Sequence, residues 1–245
     1  MVVNTTRFTS NPVDMYNRYG FAVISILDES QVCMLEKFAK AWVYRLLAKW
    51  TVGKEDSLPL ETYHIWSESL HVDHDNIFCA KNRHICGDSE IEKVLLNDKV
   101  KSFLGQIGLE RYEIWDEGLG WLAFRFIRPG VGDSYPLSRK TWGIAKNVVS
   151  CWVPIIGYEP SETLTLVPGS HLKEYEKYLP SNDKFTKGEY RLANPPADLE
   201  SYNPKLERGQ VIFYHPKTLH SEDVIVSSVT RLSLEYRLNP LTSTA

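Results

Sequence analysis

Apolar residues recur at steps of three and four along residues 32–47: Val32, Leu35, Phe38, Ala39, Trp42, Val43, Leu46 and Leu47. That spacing predicts a helix with one buried stripe, which Asp28-Glu-Ser30 can start. The run before it, GFAVISIL at residues 20–27, carries spaced β-branched residues and reads as a strand. Ser89 can cap a second helix, in which Ile91, Val94, Leu95, Val100, Phe103 and Leu104 keep helical spacing as far as Gly105 or Gly108. Residues 51–87, between the two, are polar and irregular.

From Trp121 onward the pattern shortens. WLAFRFI, NVVSCWVPII, TLTLVPGS, QVIFYH and VTRLSLEYRL are short apolar segments separated by turn residues. In the last of them Leu232, Leu234, Tyr236 and Leu238 alternate with Arg231, Ser233, Glu235 and Arg237, which points to antiparallel β structure. Helices first and strands afterwards predict helices packed outside a β-sandwich or barrel. No repeat, low-complexity segment or linker divides the chain. The expectation is one domain over residues 1–245, with a helical part to about residue 110 packed on a β core at about 111–240.

Composition narrows the class. The 245 residues are 43% hydrophobic and 24% charged with a net charge of −3, so the chain is neither disordered nor basic enough for a dedicated nucleic-acid binder. No apolar stretch approaches the roughly 18 residues a bilayer span needs, and the N-terminus has no secretory core. A soluble, cytoplasmic protein with a small-molecule substrate, and neither nucleic acid nor membrane as partner, is expected. Cys33, Cys79, Cys86 and Cys151 are reduced thiols in this reading. Cys79 and Cys86 flank His84 but lack the tight pairing of a zinc site.

Two histidine-bearing segments could carry chemistry. His71-Val-Asp73-His74-Asp75 contains a His-x-Asp pair, half of a two-histidine, one-carboxylate iron site. It has few strand formers and precedes the second helix, so it reads as a solvated loop with some substrate contact. The stronger constellation is GQVIFYHPKTLHSED followed by VTRLSLEYRL, which brings His215 and His220 near a turn just before Arg231. An imidazole at a strand end can ligate a metal or act as a base, and an arginine presents a planar fork to a carboxylate. Singly, each is more often structural, a capped-turn histidine or a surface arginine.

The chain resembles the phytanoyl-CoA dioxygenase family of Fe(II)/2-oxoglutarate-dependent oxygenases. The resemblance runs through GFAVISILDESQVCMLEKFAKAW, LLNDKVKSFLGQIG, FRFIRPGVGDSYPLSRKTW, SCWVPI, LTLVPGSH and GQVIFYHPKTLHSEDV with TRLSLEYRL. It implies a mainly β fold with flanking helices: a double-stranded β-helix, jelly-roll and cupin-like. It also implies an oxygenase using Fe(II) and 2-oxoglutarate on a small polar or sugar-like substrate. By the same resemblance His220 is the distal metal ligand and Arg231, eleven residues later, holds the far carboxylate of 2-oxoglutarate. His215 is then a catalytic or substrate-facing residue, and His171 lies on a loop near the site mouth.

One part of the family pattern is replaced. The His-x-Asp pair falls on Ser138-Arg139-Lys140, and no histidine occurs between His84 and His171. Serine is a weak ligand for iron, and a protonated lysine repels a dication. Asp133 is one compensating carboxylate; His71 with Asp73, far upstream of His220, is another option. If Arg139 and Lys140 turn inward with Arg231 the pocket is cationic and can take a carboxylate or phosphate directly; if outward, they are a solvated turn. Tyr135, Trp142 and Trp152 could stack on a sugar-like surface or belong to the core. Three functions therefore stand side by side: an iron oxygenase, a metal-free binding protein with an anion pocket, and a non-oxidative enzyme on the same fold.

Overall fold

The Asp28 carboxylate accepts from the Gln31 N–H while the Gln31 side chain accepts from the Asp28 N–H, a capping box that opens the long helix where the sequence places it. In this computed structural model residues 8, 10–116, 118–130, 135–142, 148–160, 162–180, 190–222 and 228–241 are described. The chain opens with α1 (Pro12–Tyr19), capped by Asn11, and β1 (Phe21–Ser25). Helices α2 (Glu29–Leu46) and α3 (Ala48–Thr51) follow.

The stretch expected to be irregular folds into three short helices, α4 (Tyr63–Ser69), α5 (His74–Ile77) and α6 (Ala80–Arg83), and a short strand β2 (His84–Ile85). Tyr63, Trp66 and Phe78 are buried there, so tertiary packing overrides the polar composition. The second predicted helix is two, α7 (Ser89–Leu95) and α8 (Asp98–Gln106), because Asp88 and Asn97 each cap a separate N-terminus. No helix among the described residues is long and apolar enough to cross a membrane.

The remaining strands are β3 (Tyr112–Ile114), β4 (Leu122–Ile127), β5 (Tyr135–Ser138), β6 (Val149–Ile156), β7 (Thr165–Leu166) and β8 (Lys177–Tyr178). They continue with β9 (Arg191–Leu192), β10 (Gln210–Tyr214), β11 (His220–Glu222) and β12 (Arg231–Pro240). Among the described residues a large antiparallel sheet runs β1-β10-β6-β12-β4-β2, with β3 beside β12, and a smaller one runs β5-β11-β7. This is the double-stranded β-helix with flanking helices. The part before residue 110 is not helical alone, since β1 and β2 form the two ends of that strand order.

The period-2 pattern decides which face meets what. Leu232, Leu234, Tyr236 and Leu238 of β12 join Val149, Cys151, Val153 and Phe213 in a core with Leu35, Ala39 and Val43 of α2 and Val100 and Leu104 of α8. The alternate residues Arg231, Ser233 and Glu235 are also buried. They share the inner face of the large sheet with Trp152 and Tyr214. A strand buried on both faces, with one of those faces polar, marks an interior built for something other than packing.

Candidate functional site within the barrel

His220 sits on β11 opposite Ser138 of β5 and Leu166 of β7. It is buried, and its Nδ1 lies 2.9 Å from the Thr218 carbonyl oxygen. A carbonyl only accepts, so Nδ1 carries the proton and Nε2 keeps its lone pair. Burial pushes its pKa down to about 3, with the nearby Lys140 charge second, and the ring is therefore neutral. His220 alone is a competent metal-ligating imidazole.

Its expected partners are not. Ser138, the position to which the resemblance assigns the other histidine, is the cross-strand partner of His220. Lys140, two residues on, is mostly buried, with Nζ 2.7 Å from Glu235 Oε1 on β12. The same carboxylate receives Arg125 Nη2 at 3.4 Å and Arg237 Nε at 3.1 Å. Three cations thus converge on one anion. Glu235 is held well below the ordinary carboxylate range; burial opposes this, but Lys140, Arg125 and Arg237 outweigh it. Lys140 is pushed down to about 8, chiefly by burial, with Arg237 and Arg125 adding to the effect and Glu235 opposing it.

Around this cluster the interior is polar. Trp152 Nε1 donates to Glu222 Oε1 at 3.1 Å, and burial raises the Glu222 pKa. Arg231 is buried; its Nη1 donates to the Glu162 carbonyl at 2.7 Å, and its guanidinium lies 5.3 Å from the Tyr158 ring centre. Tyr158 and Ser233 meet each other, as do Tyr214 and Ser150, but among the described residues none of these hydroxyls, nor Glu222 Oε2, has a hydrogen bond of good geometry.

Iron does not fit the residues present. Among the described residues no three His, Cys, Asp or Glu side chains converge in a way that could hold a metal ion. Lys140, to which the resemblance assigns the family carboxylate's position, puts there an ammonium already paired to Glu235. A dication placed beside it would meet repulsion from Lys140, Arg125 and Arg237. Asp133, the candidate compensating carboxylate, lies outside the described residues.

Several other expectations are corrected. Arg139 does not turn into the barrel with Lys140. Its guanidinium donates to the Ser170 and Lys173 carbonyls and lies 5.6 and 4.8 Å from the Trp142 and Tyr175 ring centres. Adjacent residues point to opposite sides, and Arg139 clamps the loop after β7 instead of offering an anion site. Trp142 packs with Val167, Leu192 and Leu219, so it is core. Trp152 faces the interior but packs there with Phe21, Leu166, Ile212 and Tyr214, so it too is core, whereas the Tyr135 side chain lies outside the described residues.

His215 follows Tyr214 on β10 and turns the other way. Its ring lies 6.1 Å from Tyr16 of α1 and 5.3 Å from His171, and its Nδ1 accepts from the Lys217 N–H at 3.1 Å. Tyr214, not His215, meets His220, at 4.7 Å between rings. Burial, then His171, pushes His215 down to about 4. His171 packs against the turn between α1 and β1, with Nε2 3.1 Å from the Asn17 carbonyl oxygen. A Cβ added at Gly20 (φ 82°) would strike both Thr218 and His171, so this turn needs glycine. In the His71–Asp75 segment His74 packs on Tyr63, Phe78 and Phe126, the last on the helix-facing side of β4, and Asp75 lies 3.8 Å from Arg128 just past that strand.

Residue-by-residue matching missed Glu235, Arg125, Arg237, Glu222, Tyr158, Ser150 and Ser233. The signal for Ser233, Glu235 and Arg237 was present in the alternation of RLSLEYRL, whose polar half points inward in a closed barrel.

The family model for "Phytanoyl-CoA dioxygenase (PhyH)" matches residues 16–231. No curated protein matches the chain. Among solved structures, the non-heme alpha ketoglutarate dependent carbocyclase SnoK from nogalamycin biosynthesis is similar with a TM-score of 0.58 and 12% identity, over 98% of this chain and 87% of that one. The epimerase SnoN in complex with Fe3+, alpha ketoglutarate and nogalamycin RO gives 0.55 and 16%, over 93% and 82%. EctD from S. alaskensis with 2-oxoglutarate and 5-hydroxyectoine gives 0.56 and 12%, over 98% and 78%. At these identities the likeness is one of fold.

Proposed function

The chain belongs to the phytanoyl-CoA dioxygenase family, and we propose that within it this barrel binds a small carboxylate-bearing molecule without a resident iron ion. The Lys140–Glu235 pair carries the reading: by the resemblance Lys140 stands where the family has its acidic ligand, and its ammonium lies 2.7 Å from Glu235. Lys140, Arg125 and Arg237 surround Glu235 on the inner face, and burial raises the pKa of Glu222, a lining in which a guest carboxylate would meet cations. The buried hydroxyls of Ser150, Ser233, Tyr158 and Tyr214 supply neutral hydrogen-bonding groups for it.

In this reading the chain's own residues bind and orient. Arg231, braced by the Glu162 carbonyl and Tyr158, offers a carboxylate-matching cation at one end of β12. His220 stays neutral and lends Nε2 as an acceptor. Titration calorimetry with 2-oxoglutarate and with glutarate, in a chelating buffer, tests this. Saturable binding of either supports it; no binding of either, with binding restored by Fe(II), refutes it.

The second reading is an Fe(II)/2-oxoglutarate-dependent oxygenase acting on a small polar or sugar-like substrate. The proton placement on His220 and the position of Arg231 favour it. It requires further metal ligands from residues beyond those described, Asp133 among them.

A further inference from the structure

Glu235 and Glu222 both face the barrel interior, in unlike surroundings. Glu235 on β12 meets Lys140, Arg125 and Arg237 within 3.4 Å and keeps its charge. Glu222 on β11 is only 7% exposed, and its Oε1 is held by the Trp152 indole N–H at 3.1 Å instead of by a cation. Its Oε2 is closed to solvent and, among the described residues, has no hydrogen bond of good geometry. Neighbouring acids in surroundings this different divide into one charged and one protonated form.

The groups around Glu222 favour the proton there. Burial is the largest influence and raises its pKa; Arg125 of β4, the Trp152 hydrogen bond and Lys140 oppose this, and Glu235 adds to it. With Oε1 accepting from the indole, the acid proton belongs on Oε2, where it is a buried donor without an acceptor. The nearby Tyr158 hydroxyl supplies none, since it is turned to Ser233. His220, two residues earlier on β11, points to the same side with Nε2 as an acceptor. One strand thus presents a donor and an acceptor to the interior, roughly 7 Å apart along its length.

We propose that Glu222 is a carboxylic acid when the guest is bound, and that its Oε2–H donates to a carboxylate oxygen of that guest. This rests on the iron-free, carboxylate-binding reading above and adds a neutral donor to the cations that draw the guest in. An ionised Glu222 would repel a carboxylate placed against it. One proton held between the two groups turns that repulsion into a charge-assisted hydrogen bond. Where Glu222 starts ionised the proton comes from solvent, and no other bond is made or broken.

Infrared difference spectra of the full-length protein with and without glutarate test this, with calorimetry in parallel to measure glutarate binding. The expected result is a protonated-carboxyl C=O band that appears or shifts on adding glutarate, stays in place when the glutarate carboxyls carry heavy carbon, and is lost in E222Q. Should E222Q fail to fold, heavy-carbon labelling of the glutamates in the unaltered protein decides the question, because the band must then move with the protein's label. Bound glutarate with no such band, with a band that follows the guest's label, or with one that E222Q retains overturns the acid pairing and leaves the carboxylate site standing. No glutarate binding overturns both.

Discussion

Lys140 and Glu235 join the two sheets of the barrel: the lysine lies two residues beyond β5, the glutamate is on β12, and their charged atoms are 2.7 Å apart. A buried pair of this kind gains little over an apolar pair, yet breaking it from one side leaves an uncompensated charge. Here the asymmetry is unusual, because Glu235 keeps Arg125 and Arg237 if the lysine is lost, whereas Lys140 loses the carboxylate it is paired with if the glutamate is lost.

Lys140→Met is therefore expected to destabilise less than Glu235→Gln. The glutamate change should cost about 3–5 kcal/mol, the range for stranding a buried charge, and the lysine change clearly less. Urea unfolding of both single variants and the double variant measures this. Equal losses would mean that the two arginines do not compensate for the lysine.

Ser138→His with Lys140→Asp should install the missing half of an iron site. Ser138 faces His220 across the β5–β11 register, and the new carboxylate would replace the repelling ammonium. The double variant is expected to gain a metal-dependent rise in Tm with Co(II) or Ni(II) that the unaltered protein does not show. A rise of the same size in both would place the metal elsewhere.

The sequence made the scaffold legible and the interior only partly so. Asp28, the three- and four-residue steps of α2 and the alternation of β12 each report on a local neighbour, and local neighbours decide helices and strands. Asp88 and Asn97 are both strong N-caps, but the continuous apolar stripe across them masked the break between α7 and α8. Ser138, His220 and Arg231 were placed because their positions follow family order. Glu235 was not, since its meaning depends on Lys140, nearly one hundred residues away in the chain. His215 misled for a related reason: one step along β10 reverses the side on which a residue lies, and the tyrosine before it took the inward position.

Arg231→Lys should weaken binding of 2-oxoglutarate or glutarate by about 10- to 100-fold, the loss of one charge-assisted hydrogen bond to the planar fork. Calorimetry reads this directly. Unchanged affinity would move the carboxylate to the Lys140 end of the barrel.

Acid should destabilise the fold early. Folded His220 has a pKa near 3 against 6.5 when unperturbed, so between those values the unfolded chain holds the extra proton. Stability then falls as pH drops below about 6.5, by up to about 1.4 kcal/mol per pH unit for this one buried ring. His215, pushed down to about 4, acts in the same direction, and Glu235 adds its loss below the ordinary carboxylate value of 4.5. Urea midpoints at pH 7, 6 and 5 should decline in order. A flat series would show that His220 is charged in the folded barrel.

Anaerobic titration of the purified protein with Fe(II), with and without 2-oxoglutarate, bears most directly on the substitution of iron by the Lys140–Glu235 pair. The expected result is no stoichiometric iron and no visible charge-transfer band, while 2-oxoglutarate still binds. A 2-oxoglutarate-dependent band at one iron per chain would contradict it and restore the oxygenase reading.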